Sequence, residues 1–287
     1  MPTLYVVATP IGNLGDMTPR AIETLKSVSL IAAEDTRVTQ KLLSAFDIHT
    51  PLTSCHEHNE RGKAAQIVRR MLEEDIDVAV TTDAGTPCIS DPGSALVRAA
   101  VESGIETVAV PGPTAMAAAL SVSGYEISEF TFFGFLPRQK GELKEKLLDM
   151  ARRSRLAVVH ESPHRVRELL ATVGETLPHT MVSASCDLTK KYEKTLRGPV
   201  AQVLEAVEQN PKAEKGEYCL VFEWAGEDIP APEAAPSELS LEARLFDGLA
   251  RGLSLRESME ELTARGERKN AVYAASLRVK QLMADAD

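Results

Sequence analysis

The chain has 287 residues, and at roughly 150 residues per domain this length predicts two domains with a sizeable core. Hydrophobic residues make up 44% and charged residues 26% of the chain, which is typical of a globular protein and argues against wholesale disorder. The formal net charge of −10 argues against a nucleic-acid partner, because phosphate binding needs clustered positive charge. A local basic face on an acidic body is still compatible with this total.

Membrane and secreted proteins are also disfavoured. No apolar run approaches the ~20 residues needed to cross a bilayer, and residues 1–7 are strand-like without a basic leader. The four cysteines are widely separated and include no Cys-x-x-Cys pair. We therefore expect reduced thiols in a cytoplasmic protein.

Short β-branched runs alternate with helical patterns in the first part of the chain. Strands are predicted at residues 4–9, 28–33, 77–82 and 107–110, and helices at residues 19–26, 60–74, 94–103 and 114–123. Thr18 is a good N-cap for the first helix and is followed by a proline at the first helical position. This alternation predicts a largely parallel sheet with helices on its faces, in an N-terminal α/β domain of residues 1–123.

A second α/β series and a helical appendage follow. Strands are predicted at residues 130–136, 156–161, 180–186 and 218–224, and helices at residues 142–153 and 164–177, giving a second domain of residues 124–225. Residues 226–238 are rich in proline, alanine and acid and are predicted to be a linker. Helical patterns at residues 241–250, 255–264 and 270–283 predict a C-terminal helical domain of residues 239–287, whose first two helices resemble a helix–turn–helix.

Three loops rich in glycine and proline each follow a predicted strand of the first domain, at residues 9–16, 83–93 and 111–114. Ligands of open α/β sheets bind outside the carboxyl ends of the strands, so these loops predict a ligand cleft. The first loop has neither the G-x-G-x-x-G dinucleotide pattern nor a P-loop lysine. A small ligand with little net negative charge is therefore favoured.

Several segments appear in order along the chain: residues 8–16 (Ala-Thr-Pro-Ile-Gly-Asn-Leu-Gly-Asp), 34–37 (Glu-Asp-Thr-Arg), 56–60 (His-Glu-His-Asn-Glu), 83–87, 90–93, 111–114, 161–165 (Glu-Ser-Pro-His-Arg) and 215–217. Across residues 4–225 they closely resemble the small-subunit ribosomal RNA methyltransferases of the tetrapyrrole-methylase superfamily. The resemblance implies two α/β domains of the tetrapyrrole-methylase type, with S-adenosylmethionine bound in the cleft between them, and a homodimer. It implies 2′-O-methylation of the ribose of a cytidine in the decoding region of small-subunit (16S) ribosomal RNA.

The resemblance also implies which residues form the cofactor pocket. The carboxylate of Asp83 would face the cationic end of the donor, and the backbone N–H groups at the helix beginning near Thr114 would bind its carboxylate. The residues expected to bind the cofactor are Pro10, Gly12, Asp83, Ala84, Gly85, Ser90, Pro111, Thr114, Ala115 and Met116 and, from the second domain, Ala184, Leu188, Gly216 and Glu217.

Methyl transfer requires an aligned acceptor hydroxyl and is helped by a group that takes its proton. The candidate bases or orienting groups are Glu34, Asp35, His56, His58 and Glu60, with Arg37 beside them. An alternative for residues 34–37 is a strand-end turn with a structural Asp–Arg pair, and for the histidines a structural loop. A metal site is not favoured, because His-x-His lacks the helical spacing of zinc enzymes and no cysteine motif completes it.

Expected RNA contacts are Asn13, Arg37, His164 and Arg165, although the last two are equally compatible with a capped helix start. Residues 138–155 carry seven basic and three acidic side chains, and Lys190, Lys191, Lys194 and Arg197 form a second cluster. Solvated helix faces are the alternative for these runs. With aromatic residues at 5% of the chain, stacking on single-stranded bases has no support from the sequence.

Two other functions compete with RNA methylation. A relative acting on a tetrapyrrole would fit the acidic charge, but residues 10–13 replace the G-x-G-x-G loop common in the superfamily. A non-enzymatic nucleic-acid-binding protein would use the C-terminal helices, but residues 239–287 hold eight basic and eight acidic side chains and are neutral. That function also leaves the cleft of the α/β domains without a purpose.

Overall fold

The computed structural model of the protein describes residues 1–56, 59–211, 213–229 and 239–284. The chain forms two compact units, residues 1–229 and residues 230–287. The predicted linker begins with a short 3-10 turn, Gly226–Asp228, and its residues 230–238 lie outside the described part of the chain. Within the described ranges, no helix is both long and apolar enough to span a membrane.

The first sheet of the larger unit has five strands in the order β3-β2-β4-β1-β5, and every neighbouring pair is parallel. Its strands are β1 (Thr3–Val7), β2 (Leu30–Ala33), β3 (Leu52–Ser54), β4 (Val78–Thr81) and β5 (Glu106–Val110). The helices between them are α1 (Pro19–Ser27), α2 (Thr36–Ala45), α3 (Glu60–Glu74) and α4 (Ser94–Glu102), with α5 (Ala115–Ser121) after β5. The prediction of a parallel α/β sheet is confirmed.

Both faces of this sheet are buried, which explains why its central strands are apolar without alternation. Every residue of β2 and β4 is buried. One core lies under α3 and α4 and includes Ile67, Met71 and Leu96, and another under α1 and α2 includes Leu25 and Leu43. The helices therefore pack against opposite faces and leave the carboxyl ends of the strands free for loops.

The second sheet has the order β6-β7-β10-β8-β9 and is mostly antiparallel, since only β6 and β7 run in the same direction. Its strands are β6 (Thr131–Phe135), β7 (Leu156–Glu161), β8 (Met181–Cys186), β9 (Lys194–Pro199) and β10 (Tyr218–Glu223). Its helices are α6 (Lys140–Arg153), α7 (Val166–Thr176) and α8 (Val200–Glu208).

Four elements were not expected from the sequence: α2, β3, β9 and α8. The strands β3 and β9 lie at the edges of their sheets, where a strand is covered on fewer sides and needs little apolar periodicity. Strand β9 also contains Lys194, Gly198 and Pro199, which are poor strand formers. Helix α2 begins directly after Asp35, its N-cap, a residue for which the sequence had suggested a catalytic role or a strand-end turn.

Helix α5 connects the two sheets of the larger unit. It follows β5 in the chain but packs against β7, β8 and β10 of the second sheet. A buried cluster between the sheets includes Leu120 of α5, Val158 of β7 and Val221 of β10, together with Ile11 and Leu188 from loops of the two halves. This shared apolar junction holds the two sheets in one unit.

The C-terminal unit is a three-helix bundle of α9 (Leu241–Ala250), α10 (Leu255–Ala264) and α11 (Lys269–Ala284), as predicted. Ser254 and Glu257 form a capping box at the start of α10. Gly248 of α9 lies so close to α10 that a Cβ atom there would be 2.2 Å from Oγ of Ser258. The bundle therefore needs glycine at this crossing.

Candidate active site

The three predicted loops converge because they follow neighbouring strands. Strands β4, β1 and β5 are adjacent in the sheet, so their carboxyl ends meet at one edge. Backbone hydrogen bonds join the loops there: the N–H of Thr9 donates to the carbonyl of Gly85 (2.8 Å), and the N–H of Gly85 donates back to the carbonyl of Thr9 (3.1 Å). The N–H of Ala8 donates to the carbonyl of Val110 (3.1 Å). The loops thus form one connected wall.

A cavity of about 350 Å³ lies between this wall and the second sheet. Its size is at the lower end of the range for small-molecule pockets. Eight of the residues predicted to bind a cofactor line it: Ala84, Gly85, Ser90, Thr114, Ala115, Met116, Leu188 and Glu217. The loops of the first sheet therefore converge on one cavity, as predicted. Leu188 and Glu217, from the second half of the unit, also line it.

The other six predicted cofactor residues do not line the cavity: Pro10, Gly12, Asp83, Pro111, Ala184 and Gly216. Ala184 is buried within β8, with 1% of its surface exposed. Gly12 packs on the side chain of Lys190, whose Cγ would lie 2.6 Å from a Cβ at that position. Gly12 and Ala184 are therefore engaged in packing within the protein.

An ion-pair network fixes the cavity residue Glu217. The ammonium group of Lys190 donates to Oδ1 of Asp187 (3.0 Å) and to Oε2 of Glu217 (3.0 Å). Gly216 has a φ of +97°, and a Cβ there would lie 2.6 Å from Oδ2 of Asp187. Glycine is required at this position both for its backbone conformation and for the space that Asp187 occupies.

Within the loop of residues 83–93, Asp91 lines the cavity and Asp83 does not. The carboxylate of Asp83 instead accepts a hydrogen bond from the N–H of Asp35 (3.1 Å). In the described part of the chain, the side chain of Asp91 makes no hydrogen bond or ion pair. Burial raises the pKa of Asp91 to about 6, with smaller contributions from the charges of Glu34 and Asp83.

The backbone of this loop is strained. Cys88 and Ser90 both have left-handed φ values, +69° and +68°, which are uncommon for residues other than glycine. On the other side of the cavity, Asp187 and Thr189 have φ values of +52° and +68°. Such outliers cluster at binding and catalytic sites, because the surrounding structure must hold them.

The predicted acidic group at the end of β2 forms a network beside the cavity. Glu34 accepts hydrogen bonds from Oγ1 of Thr82 (2.6 Å) and the N–H of Asp83 (3.2 Å). Asp35 caps α2 through the N–H of Arg37 (2.8 Å) and pairs with its guanidinium (2.6 Å). This pairing lowers the pKa of Asp35 to about 2, so its carboxylate is a poor proton acceptor. The side chain of Arg37 is 86% exposed.

Glu60 and His56 also lie outside the cavity wall. Oε1 of Glu60 accepts hydrogen bonds from the N–H groups of Gly93 (2.8 Å) and Ala95 (2.7 Å), so it caps the start of α4. The N–H of His56 donates to Oδ1 of Asn59 (2.9 Å). His58 lies outside the described residues. The described residues hold no cluster of three or more potential metal ligands.

The second sheet provides a wall of the cavity that was not expected from the sequence. Its residues at the ends of β6 and β7 are Phe132, Phe135, His160, Glu161, Ser162 and Pro163. The ring of His160 lies 5.0 Å from that of Phe132 and 5.9 Å from that of Phe135. Because β6 and β7 are parallel, the carboxyl-end rule applied to the first sheet would have identified this wall too.

Three of the four expected RNA contacts have structural partners, and that of Arg37 is Asp35, as described above. Asn13 accepts a hydrogen bond from the N–H of Gly15 (3.0 Å) in an exposed turn. Arg165 donates to the carbonyl of Pro137 (2.8 Å) and lies 3.4 Å from the carboxylate of Glu161. His164 is exposed at the start of α7. Arg165 is therefore a positioning residue in this structure, and its contact with RNA stays a prediction.

Most of the basic stretch at residues 138–155 is paired with acids. Lys140 and Lys144 bind Glu175, and Lys146 and Arg153 bind Asp149. Arg155 pairs with Glu223. Two of these acids, Glu175 and Glu223, lie outside residues 138–155 and were therefore not included in the count of charges. The local positive charge is consequently weaker than the count of side chains predicted.

Comparisons with known proteins agree with this architecture. Residues 3–204 match the family described as Tetrapyrrole (Corrin/Porphyrin) Methylases. The chain is 39% identical over 277 residues to the "Ribosomal RNA small subunit methyltransferase I" of Bacillus subtilis, with 96% of this chain and 94% of that protein covered. It is 41% identical over 273 residues to the protein of the same name from Halalkalibacterium halodurans, with 94% and 93% covered. The crystal structure of diphthine synthase has the same fold, with a TM-score of 0.60, 11% identity and coverage of 77% of this chain and 90% of that chain.

Proposed function

Because the chain belongs to the tetrapyrrole methylase family, we propose that it is an S-adenosylmethionine-dependent methyltransferase of small-subunit (16S) ribosomal RNA. The acceptor is the ribose 2′-hydroxyl of a cytidine in the decoding region. The observation that carries the proposal is the identity of 39–41% to proteins named as small-subunit ribosomal RNA methyltransferases, over more than nine-tenths of both chains. The cytidine and its 2′-hydroxyl are the finer part of the proposal and rest on the resemblance of the motifs. The cavity at the strand ends supplies a compatible site.

The residues of the cavity fit this cofactor. The carboxylate of Asp91 has no partner among the described residues and is available to a cationic sulfonium or amino group. The backbone N–H groups near Thr114, at the start of α5, can bind a carboxylate. Ile11, Leu188 and Cys219 provide a buried apolar surface for an aromatic ring. A cofactor without phosphates explains the absence of a phosphate-binding motif from the loops.

When bound, S-adenosylmethionine supplies a methyl group on a positively charged sulfur. The residues of the cavity would hold the acceptor oxygen in line with that methyl group, and such alignment would contribute several kcal/mol to catalysis. Glu34, Asp35, His56 and Glu60 do not line the cavity, and the first two and Glu60 are engaged in structural hydrogen bonds. We therefore assign the main effect to positioning and not to proton abstraction by these groups.

The acceptor approaches over the rim of the cavity. The exposed guanidinium of Arg37 is available for the RNA backbone, and His164 is exposed at the end of the second sheet. Asp35 orients Arg37 through a 2.6 Å ion pair.

A ribosomal substrate implies a cytoplasmic protein, and the four cysteines are free thiols. A homodimer follows from the family resemblance and is tested by light scattering.

The alternative is methylation of a small molecule such as a tetrapyrrole, which the family description names. Residues 10–13 of this chain, Pro-Ile-Gly-Asn, replace the G-x-G-x-G loop common in the superfamily. The relatives at 39–41% identity are named for ribosomal RNA and not for a tetrapyrrole. Both observations favour the RNA substrate.

The test is transfer of labelled methyl groups from S-adenosylmethionine to small subunits whose decoding site is unmodified, with porphyrinogens assayed in parallel. The expected result is label in the RNA that digestion releases as 2′-O-methylcytidine. An Asp91→Asn variant serves as the control for contaminating activity and should lose most of the transfer. Label on a porphyrinogen and none on RNA would overturn the proposal.

A further inference from the structure

The residues that line the cavity differ in their exposure. Ile11, Leu188 and Cys219 are 9% exposed or less and belong to one buried cluster, against which Phe132 packs. We define the aromatic wall as Phe132, Phe135 and His160, which line the cavity from the second sheet. Phe135 is 64% exposed, although it is a large apolar side chain.

A β-bulge creates this wall. Strand β6 shifts register against β7 between Phe132 and Gly134, so that Phe132 pairs with Val158 and Phe135 pairs with His160. Side chains three residues apart on a regular strand point to opposite faces, but one extra residue returns them to the same face. The bulge therefore brings Phe132 and Phe135 together beside His160 and sends Phe133 into the other core.

The bulge also contacts the cofactor loop. Gly134 has a φ of +64°, and a Cβ there would lie 3.2 Å from Oγ of Ser90. Ser90 is the neighbour of Asp91, and both line the cavity. The aromatic wall is thus set directly beside the carboxylate to which we assign the cationic end of the cofactor.

We infer that the aromatic wall binds the nucleobase of the acceptor nucleotide by stacking, an inference that rests on the proposed function. A ribose cannot enter the cavity without its base, and bases of single-stranded or extruded nucleotides commonly stack on aromatic side chains. A ring that is 64% exposed, as that of Phe135 is, is suited to a group that arrives from solvent with the substrate. The adenine ring of the cofactor would instead contact the buried apolar residues Ile11, Leu188 and Cys219.

The ring of His160 is compatible with this role. Burial lowers the pKa of His160, so the imidazole is neutral at pH 7 and presents a π face without a positive charge. The chain has only 13 Phe, Tyr and Trp residues, which is why composition alone offered no support for stacking. The rings of Phe132 and Phe135 nevertheless lie together with the imidazole of His160 in the lining of one cavity.

The test compares Phe135→Ala with Phe135→Trp and with Leu72→Ala, which removes another exposed apolar side chain (51%) on α3. Removing a stacking ring should raise the KM for small subunits about tenfold, within the range of base–aromatic stacking, while the calorimetric Kd for S-adenosylmethionine changes less than twofold. Phe135→Trp should restore the KM to within threefold, and Leu72→Ala should match the wild type in both measurements.

A second substrate separates the base from the ribose. Small subunits reconstituted with an abasic target nucleotide should be poor substrates for the wild type, and Phe135→Ala should cause no further loss on them. An equal loss on both substrates, or a tenfold loss of cofactor affinity, would overturn the inference and assign the wall to the RNA backbone or to adenine. If the wild type methylates no RNA at all, the proposed function fails, whatever the variants do.

Discussion

The guanidinium of Arg165 donates a 2.8 Å hydrogen bond to the carbonyl oxygen of Pro137, across the ends of the parallel strands β6 and β7. The same group lies 3.4 Å from the carboxylate of Glu161, whose side chain has no exposed surface. Oε1 of Glu161 in turn accepts the N–H of Ser162 (2.8 Å). Arg165 thereby ties together the two strand ends that present Phe135 and His160 to the cavity.

Replacing Arg165 by alanine should destabilise the protein by about 2–3 kcal/mol, because it removes the ion-pair partner of the buried carboxylate of Glu161. Chemical denaturation measures the effect. The double variant Arg165→Ala/Glu161→Gln should be less destabilised than Arg165→Ala alone. Arg167→Ala, which removes an ion pair with the exposed Glu214, should cost less than about 0.5 kcal/mol. Equal losses of stability for Arg165→Ala and Arg167→Ala would show that Arg165 does not connect the ends of β6 and β7.

Binding of S-adenosylmethionine should weaken below pH 6. Burial raises the pKa of Asp91 to about 6, so its anionic form predominates above that pH and its neutral form below it. A cationic ligand binds the anionic form, and the association constant should fall about tenfold between pH 7.5 and pH 5. Calorimetry across this range checks the slope. Asp91→Asn should bind weakly at every pH, and a pH-dependent Asp91→Asn profile would point to another group.

Two glycines with positive φ allow a matched comparison. Gly104 has a φ of +73°, and nothing lies within 4 Å of an added Cβ. Gly104→Ala should therefore lower the free energy of unfolding by only about 1 kcal/mol, which is the cost of a side chain in the left-handed backbone conformation. Gly216→Ala must in addition displace Asp187, and should cost at least 1 kcal/mol more. It should also weaken cofactor binding, since Asp187 and Lys190 position Glu217. Similar stability for the two variants would show that Asp187 moves freely.

Glu60 distinguishes a helix cap from a catalytic base. Glu60→Gln keeps an oxygen that accepts the N–H groups of Gly93 and Ala95, so its kcat should stay within twofold of the wild type. Glu60→Ala should lose about 1 kcal/mol of stability through the missing cap. A catalytic base would instead lose 10²–10⁴-fold in kcat in both variants. Single-turnover methyl transfer at saturating substrate decides between the two.

The predictions from sequence succeeded where the signal is local. The helix at residues 60–74 and the strand at residues 156–161 have the predicted bounds, because the helix has a regular apolar periodicity and the strand is a short apolar run. The three loops of the first sheet were identified as one cleft by the rule that ligands bind at the carboxyl ends of parallel strands. Edge strand β9 was missed because it has no apolar pattern to detect.

The sequence by itself determined the family, the alternating α/β architecture and the loops that carry the cavity, since motifs and periodicity are properties of neighbouring residues. Only the tertiary structure decided that Asp91 and not Asp83 faces the cavity, because the carboxylate of Asp83 is held by the N–H of Asp35, which is distant in the sequence. It also decided that Phe132 and Phe135 share a face, because a bulge depends on pairing with β7. The total charge of −10 predicted neither the position of Asp91 nor that of the two rings. Contacts between segments that are distant in the sequence determine which charged and aromatic side chains line the cavity.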